Sequence, residues 1–169
     1  VFVIFLCFQI ASCQHLGAAV RIINAETLNI AQKGENWRAI LDTPPDGNSQ
    51  SAQAERLLVR EWQNVSQERR NQAIKDADPN MFMAFSPVLG ADFTDENHAK
   101  TAEVLGIVKL RAVAASVAAK NNFDRPRPFQ SDNTITTCPN LPMGKSYPSS
   151  HSTLGWASAL VLAEIYPEK

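Results

Sequence analysis

An all-α domain is the fold class this sequence predicts, and three observations predict it. No stretch alternates apolar and polar residues for the length of a strand. Apolar residues recur instead at the three- and four-residue spacing of a helix face. The breaks between those runs carry helix-end chemistry, with Thr94, Ser149 and Ser150 ahead of apolar runs and Pro79, Gly90 and Pro167 behind them. A helical bundle follows. The chain has 169 residues, enough for one domain with a real core. Its 16 Lys and Arg nearly balance 17 Asp and Glu, so no global field recruits nucleic acid or an anionic surface. No repeat or low-complexity tract interrupts it.

In chain order, residues 1–13 read as a leader, 14–40 as an N-terminal extension and 41–169 as the domain. Val1 to Ala11 is apolar except for Gln9, too short to span a bilayer but matching the hydrophobic part of a secretory signal. Ile10, Ala11, Ser12 and Cys13 resemble a lipobox in which Cys13 is lipidated. Signal cleavage near Ser12 or Gln14, or a plain apolar leader, are the alternatives. Export is expected on the first two readings, to a periplasmic or secreted location that includes lipid anchoring at a bacterial membrane. With Cys7 and Cys13 in the leader, Cys138 is left alone in the domain, as a free thiol or as the partner of a cysteine elsewhere.

Ala18 to Gln32 suggests a short helix, and Gly34 to Gln50, with its Pro-Pro-Asp-Gly-Asn run, a loop. Ala54, Leu57, Leu58, Trp62 and Val65 fall at helical spacing among charges, an amphipathic helix whose stripe is expected in the core. A polar helix, Gln67 to Asp78, ends at Pro79. The cluster from Met81 to Phe85 is expected to pack in the core and to stop at Pro87 and Gly90. Thr94, Asp95 and Glu96 look like a cap with acids in the first turn, where they complement the helix dipole. The helix they open is expected to run to Lys120. Val104, Leu105, Ile107, Val108, Leu110, Val113 and Val117 lie nearly all round it, so it is expected to be central and buried, and periodicity does not say where Lys120 points. His98 reads as a surface histidine. The last helix, Ser152 to Ile165, is rich in small residues that permit close packing.

The chemistry is concentrated between Lys120 and His151. Lys120, Arg125 and Arg127 stand close together, with Pro126 and Pro128 stiffening the segment. Such cations suit an oxyanion, because a guanidinium offers a flat fork of donors that fits phosphate. Downstream, Tyr147-Pro-Ser-Ser-His151 precedes an apolar run, so Ser149 or Ser150 reads as a helix cap. Unpaired N–H groups and the positive dipole end make such a terminus receptive to anions. His151 falls in its first turn. Plainer readings stand beside these: Lys120 complementing a helix C-terminus, Arg125 and Arg127 as solvated charges, and Pro-Ser-Ser-His as an ordinary cap. Asp124 reads as an ion-pair partner for one of the arginines.

Taken together, Lys120-x6-Arg127-Pro128 and Pro148-Ser-Ser-His151 resemble the first two of three motifs of the type 2 phosphatidic acid phosphatase superfamily. The run from Gly144 to Ile165 is similar to the bacterial class A non-specific acid phosphatases, and the likeness extends back to about Leu41. Ser150 stands where that family usually has Gly. The resemblance implies hydrolysis of phosphate monoesters by an all-α enzyme that needs neither metal nor other cofactor. In that scheme Lys120, Arg127, Ser149 and the N–H groups around Ser150 hold the phosphoryl oxygens, and His151 is the general acid. Arg125, outside the motif, is left as a neighbouring charge.

The same scheme implies a nucleophilic His, with a Ser-Arg pair and an orienting Asp, in a third motif a few dozen residues after His151. That lies past Lys169, so the expectation is that the sequence is a fragment that does not turn over alone. Small phosphate monoesters and inorganic phosphate are the expected partners, with membrane attachment only through Cys13 and room for a homo-oligomer. The alternatives are a vanadium-dependent haloperoxidase, a membrane lipid phosphatase, disfavoured because no stretch spans a bilayer, and a non-catalytic phosphate-binding lipoprotein.

Overall fold

The computed structural model describes residues 36–137 and 143–169, and among them every regular element is a helix. The apolar leader, Cys13, the helix expected over Ala18 to Gln32, and Cys138 lie outside the described residues. In chain order the helices are α1 (Trp37–Ile40), α2 (Gln50–Glu61), α3 (Gln67–Asp76), α4 (Met81–Leu89), α5 (Ala99–Phe123), α6 (Pro128–Ser131) and α7 (Ser150–Ile165). A 3₁₀ turn, Trp62–Asn64, extends α2. No helix among the described residues is long and apolar enough to cross a membrane.

Short polar side chains start these helices. Ser49, Ser66, Asn80 and Ser149 each accept a hydrogen bond from a first-turn backbone N–H of α2, α3, α4 and α7, satisfying a donor that the helical ladder leaves unpaired. α1 places one helical turn in the stretch expected to be loop throughout. α4 corrects a second expectation, because Pro87 lies within it and does not stop it. Proline removes the N–H that would bond the Met83 carbonyl, and the Ser86 hydroxyl donates to that carbonyl instead, at 3.2 Å. Gly90, at φ 111°, ends the helix in a conformation that side chains rarely adopt.

Thr94 caps a separate turn, accepting from the Asn97 N–H at 3.2 Å, and α5 begins only at Ala99. The cap was legible, but the turn it closes comes before the helix. At its other end α5 continues past Lys120 to Phe123, and Asp124 leaves it with φ 50°. His98 is not a free surface group. Its ring stacks at 5.2 Å on Phe93 and 6.1 Å from Tyr166, and it is half-buried.

α5 and α7 make the most extensive helix–helix contact. Leu105, Val108 and Ala112 on α5 meet Leu154 and Leu162 on α7, and Phe93 and the partly buried Met81, Phe82, Phe85 and Leu89 close one end. Of the apolar cluster expected in the core, Met81, Phe82 and Phe85 pack against it and stay partly buried, whereas Met83 and Ala84 on the outer side of α4 are exposed. The opposite side of α5 departs from a helix buried all round, since Leu110, Val113 and Val117 are exposed. The α2 stripe departs further. Leu57, Leu58 and Trp62 are more than half exposed, and only Ala52 of that helix is buried.

Candidate active site

The site is built where the C-terminal end of α5, the loop before α7 and the first turn of α7 meet. Ser116 and Lys120 are one helical turn apart on the buried face of α5. That placement answers what periodicity left open: Lys120 points inward and is 8% exposed. Its Nζ donates to the Lys145 carbonyl at 2.9 Å and to the Pro148 carbonyl. An ammonium has three N–H donors, so one remains for an oxyanion. Burial holds the Lys120 pKa below the ordinary lysine value, and the nearby positive charge of Arg127 lowers it further.

Arg127 is not a solvated loop charge. Its Nε donates to the Gly144 carbonyl at 2.9 Å and its Nη2 to the Met143 carbonyl at 2.8 Å, which leaves other guanidinium N–H groups uncommitted. Both cations thus fasten residues 143–148 to the end of α5. Gly144, at φ 75°, lets the loop turn back toward Arg127. Ser146 completes the attachment, its N–H donating to the Arg125 carbonyl at 3.0 Å and its hydroxyl to the Pro126 carbonyl at 2.9 Å.

Two neighbouring charges face elsewhere. Arg125 forms an ion pair with Glu55 on α2. Asp124 pairs with Lys145 at 2.7 Å and not with an arginine, because the left-handed bend at Asp124 brings it to the returning loop.

Ser149 caps α7, its Oγ accepting from the Ser152 N–H at 3.2 Å. The first-turn N–H groups of Ser150 and His151 have no acceptor within the helix, which leaves them for an anion. The Ser150 side chain faces α5, with its Oγ 2.8 Å from Ser116 Oγ. His151 is exposed, and its Nε2 is 3.3 Å from the carbonyl of Ala77, which caps the C-terminus of α3. Lys120, Arg127, Ser149 and Ser150 therefore share one loop and helix end. The His151 imidazole stands beside them, turned toward α3.

Sequence reasoning missed several supporting groups. Tyr147 donates its hydroxyl to the Asp42 carbonyl at 2.9 Å and stacks edge-on against Phe123 at 5.1 Å. Arg38 covers the Phe123 ring at 5.5 Å. Backbone carbonyls carry no sequence signal, so the acceptors at 143–145, 148 and 77 were invisible. Ser116 had one, its position one turn before Lys120.

Residues 102–169 match the PAP2 superfamily model. The chain is 34% identical over 145 residues to a non-specific acid phosphatase of Providencia stuartii, covering 77% of this chain and 56% of that protein. A non-specific acid phosphatase of Salmonella typhimurium strain LT2 is 32% identical over 136 residues, covering 75% of this chain and 54% of its own length. An acid phosphatase of Zymomonas mobilis is 50% identical over 54 residues, 30% of this chain and 20% of that protein. The chain spans about half the length of the first two relatives.

Proposed function

We propose that this chain, which belongs to the PAP2 superfamily, is part of a broad-specificity acid phosphatase that hydrolyses phosphate monoesters. The observation that carries this reading is the convergence of Lys120, Arg127 and the first turn of α7 on one loop. Phosphoryl transfer demands little beyond position and charge: the three equatorial oxygens must be held while the attacking and leaving groups stand in line. Lys120 Nζ, the free edge of Arg127, the Ser149 hydroxyl and the N–H groups of Ser150 and His151 are the donors for those oxygens.

The nucleophile in this reading is a histidine supplied by a third motif outside residues 1–169. Its ring nitrogen forms a bond to phosphorus as the ester P–O bond breaks, giving phosphohistidine. The departing alkoxide takes a proton from His151, which then accepts one from the water that hydrolyses the intermediate. Export through the N-terminal leader, lipidation at Cys13 and assembly into a homo-oligomer belong to the same proposal. Fatty-acid labelling of wild type against Cys13→Ser tests the lipid anchor, and equal absence of label in both sinks it.

The test of the chemistry compares substrates in the full-length protein. An alkyl phosphate needs a proton on its leaving oxygen, whereas p-nitrophenolate leaves without one. General acid catalysis contributes about 10²–10⁴-fold, so in single-turnover assays His151→Ala loses most of that factor on the alkyl ester and much less on the aryl ester. Lys120→Ala and Arg127→Ala weaken both esters and inhibition by inorganic phosphate together. Equal losses for His151→Ala on both esters would remove His151 from the acid role. Residues 1–169 alone give no turnover in this reading, and hydrolysis by them above background would mean that the attacking group lies within the chain.

A further inference from the structure

We infer that Ser116 is a positioning residue, accepting the proton of the Ser150 hydroxyl and so fixing the first turn of α7 at a set distance from Lys120. The direction of that hydrogen bond follows from counting protons. Ser116 Oγ is 2.9 Å from the Val113 carbonyl, which can only accept, so the single hydroxyl proton of Ser116 goes there. The 2.8 Å contact between Ser116 Oγ and Ser150 Oγ must then use the proton of Ser150. Ser116 is 2% exposed, and its hydroxyl is held from both sides within the α5–α7 contact.

Two consequences bear on the anion site. Ser150 has no hydroxyl proton left for a phosphoryl oxygen, so it serves the anion through its backbone N–H. The Ser116–Ser150 bridge also runs beside the Lys120–Pro148 bridge, one turn apart on α5 and two residues apart along the chain entering α7. Together they hold the ammonium and the first-turn N–H groups as one unit. Anion affinity depends on that spacing, because donors placed in advance are worth more than donors that must be gathered.

The inference rests on the phosphate reading of the site. Its test measures binding of inorganic phosphate to the full-length protein by calorimetry, for wild type, Ser116→Ala, Ser150→Ala and the double variant. Each single substitution breaks the same bridge. Each is expected to weaken phosphate about three- to tenfold, the scale of one hydrogen bond, and the double variant no more than either alone. Phosphate-induced shifts of the Ser150 and His151 amide resonances should shrink alike in both single variants, a signature that loss of fold stability alone does not give. Should Ser116→Ala lose its cooperative thermal melt, Ser116→Cys, close in shape but a weak acceptor, takes its place in the cycle. A loss confined to Ser150→Ala makes its hydroxyl a direct phosphate donor and overturns the inference. So do losses that multiply in the double variant, or unchanged affinity in both singles. Absence of phosphate binding in wild type sinks the phosphate reading and this inference with it, and shows itself before any substitution is made.

Discussion

Lys120 joins burial, a neighbouring cation and an empty donor in one residue, and these give it two opposite responses to pH. Burial, then Arg127, holds its folded pKa below the ordinary value near 10.5. Below the depressed value the ammonium is charged in folded and unfolded chains alike, and folding carries the whole penalty of desolvating it. Between the depressed and ordinary values the unfolded chain binds the extra proton, so stability rises with pH. Phosphate affinity should fall across that same alkaline window, as the ammonium that meets the anion is lost. Calorimetric titrations with phosphate across this range check the prediction, with Lys120→Arg as control, because a guanidinium stays charged and removes that alkaline limb. A limb that persisted unchanged in Lys120→Arg would assign the titration to another group. That Lys120 and Arg127 stand near one another was legible from their spacing. The direction of Lys120 was not, since α5 is apolar nearly all round and only its packing partner distinguishes the faces.

At the scale of the element, the α5–α7 pair carries the core. Leu154, 1% exposed, sits at its centre, and Leu154→Ala should cost about 2–5 kcal/mol in denaturant unfolding. Ser158, one turn later, is fully buried, and its Oγ has no hydrogen-bond partner among the described residues. An unpaired buried hydroxyl costs roughly 1–3 kcal/mol, so Ser158→Ala should leave stability unchanged or raise it. A loss above about 1 kcal/mol would mean that the hydroxyl has a partner after all. Helix existence was legible throughout this region because periodicity and caps agree. Boundaries failed where a local device competed with the rule. Ser86 repairs the gap that Pro87 makes, so α4 continues to Leu89, and Thr94 closes its own turn ahead of α5. The α2 stripe failed for another reason: amphipathic spacing says which residues share a face, not that anything covers it.

At the scale of the whole molecule, apolar side chains stand exposed on three of the described helices. Leu57 and Leu58 on α2, Trp62 in the turn that extends it, Leu110, Val113 and Val117 on α5, and Trp156 and Leu160 on α7 are all exposed, and apolar surface of this kind, where it is continuous, seeks a cover. Residues 1–169 expressed alone should bind a hydrophobic dye and associate with rising concentration in sedimentation velocity. The double variant Leu110→Gln, Trp156→Gln should reduce both effects, and a monodisperse, dye-silent wild-type chain would refute the expectation. The tethers around the candidate site have a consequence in time as well as in space. Tyr147 reaches back 105 positions to Asp42, Arg60 reaches 72 forward to Asp132, and Arg125 reaches 70 back to Glu55. Contacts between such distant positions form late, because the loop they close must first give up its freedom. On the ribosome, α5 emerges with Leu105 and Val108 covered only in part, by Phe93 and the α4 residues packed there, and waits for Ser150 to Ile165 to complete their burial. Synthesis at about 5–20 residues per second makes that wait last seconds. The nascent chain therefore passes through an interval in which its stickiest helix is complete and its anion site is not, the interval in which a chaperone would find it.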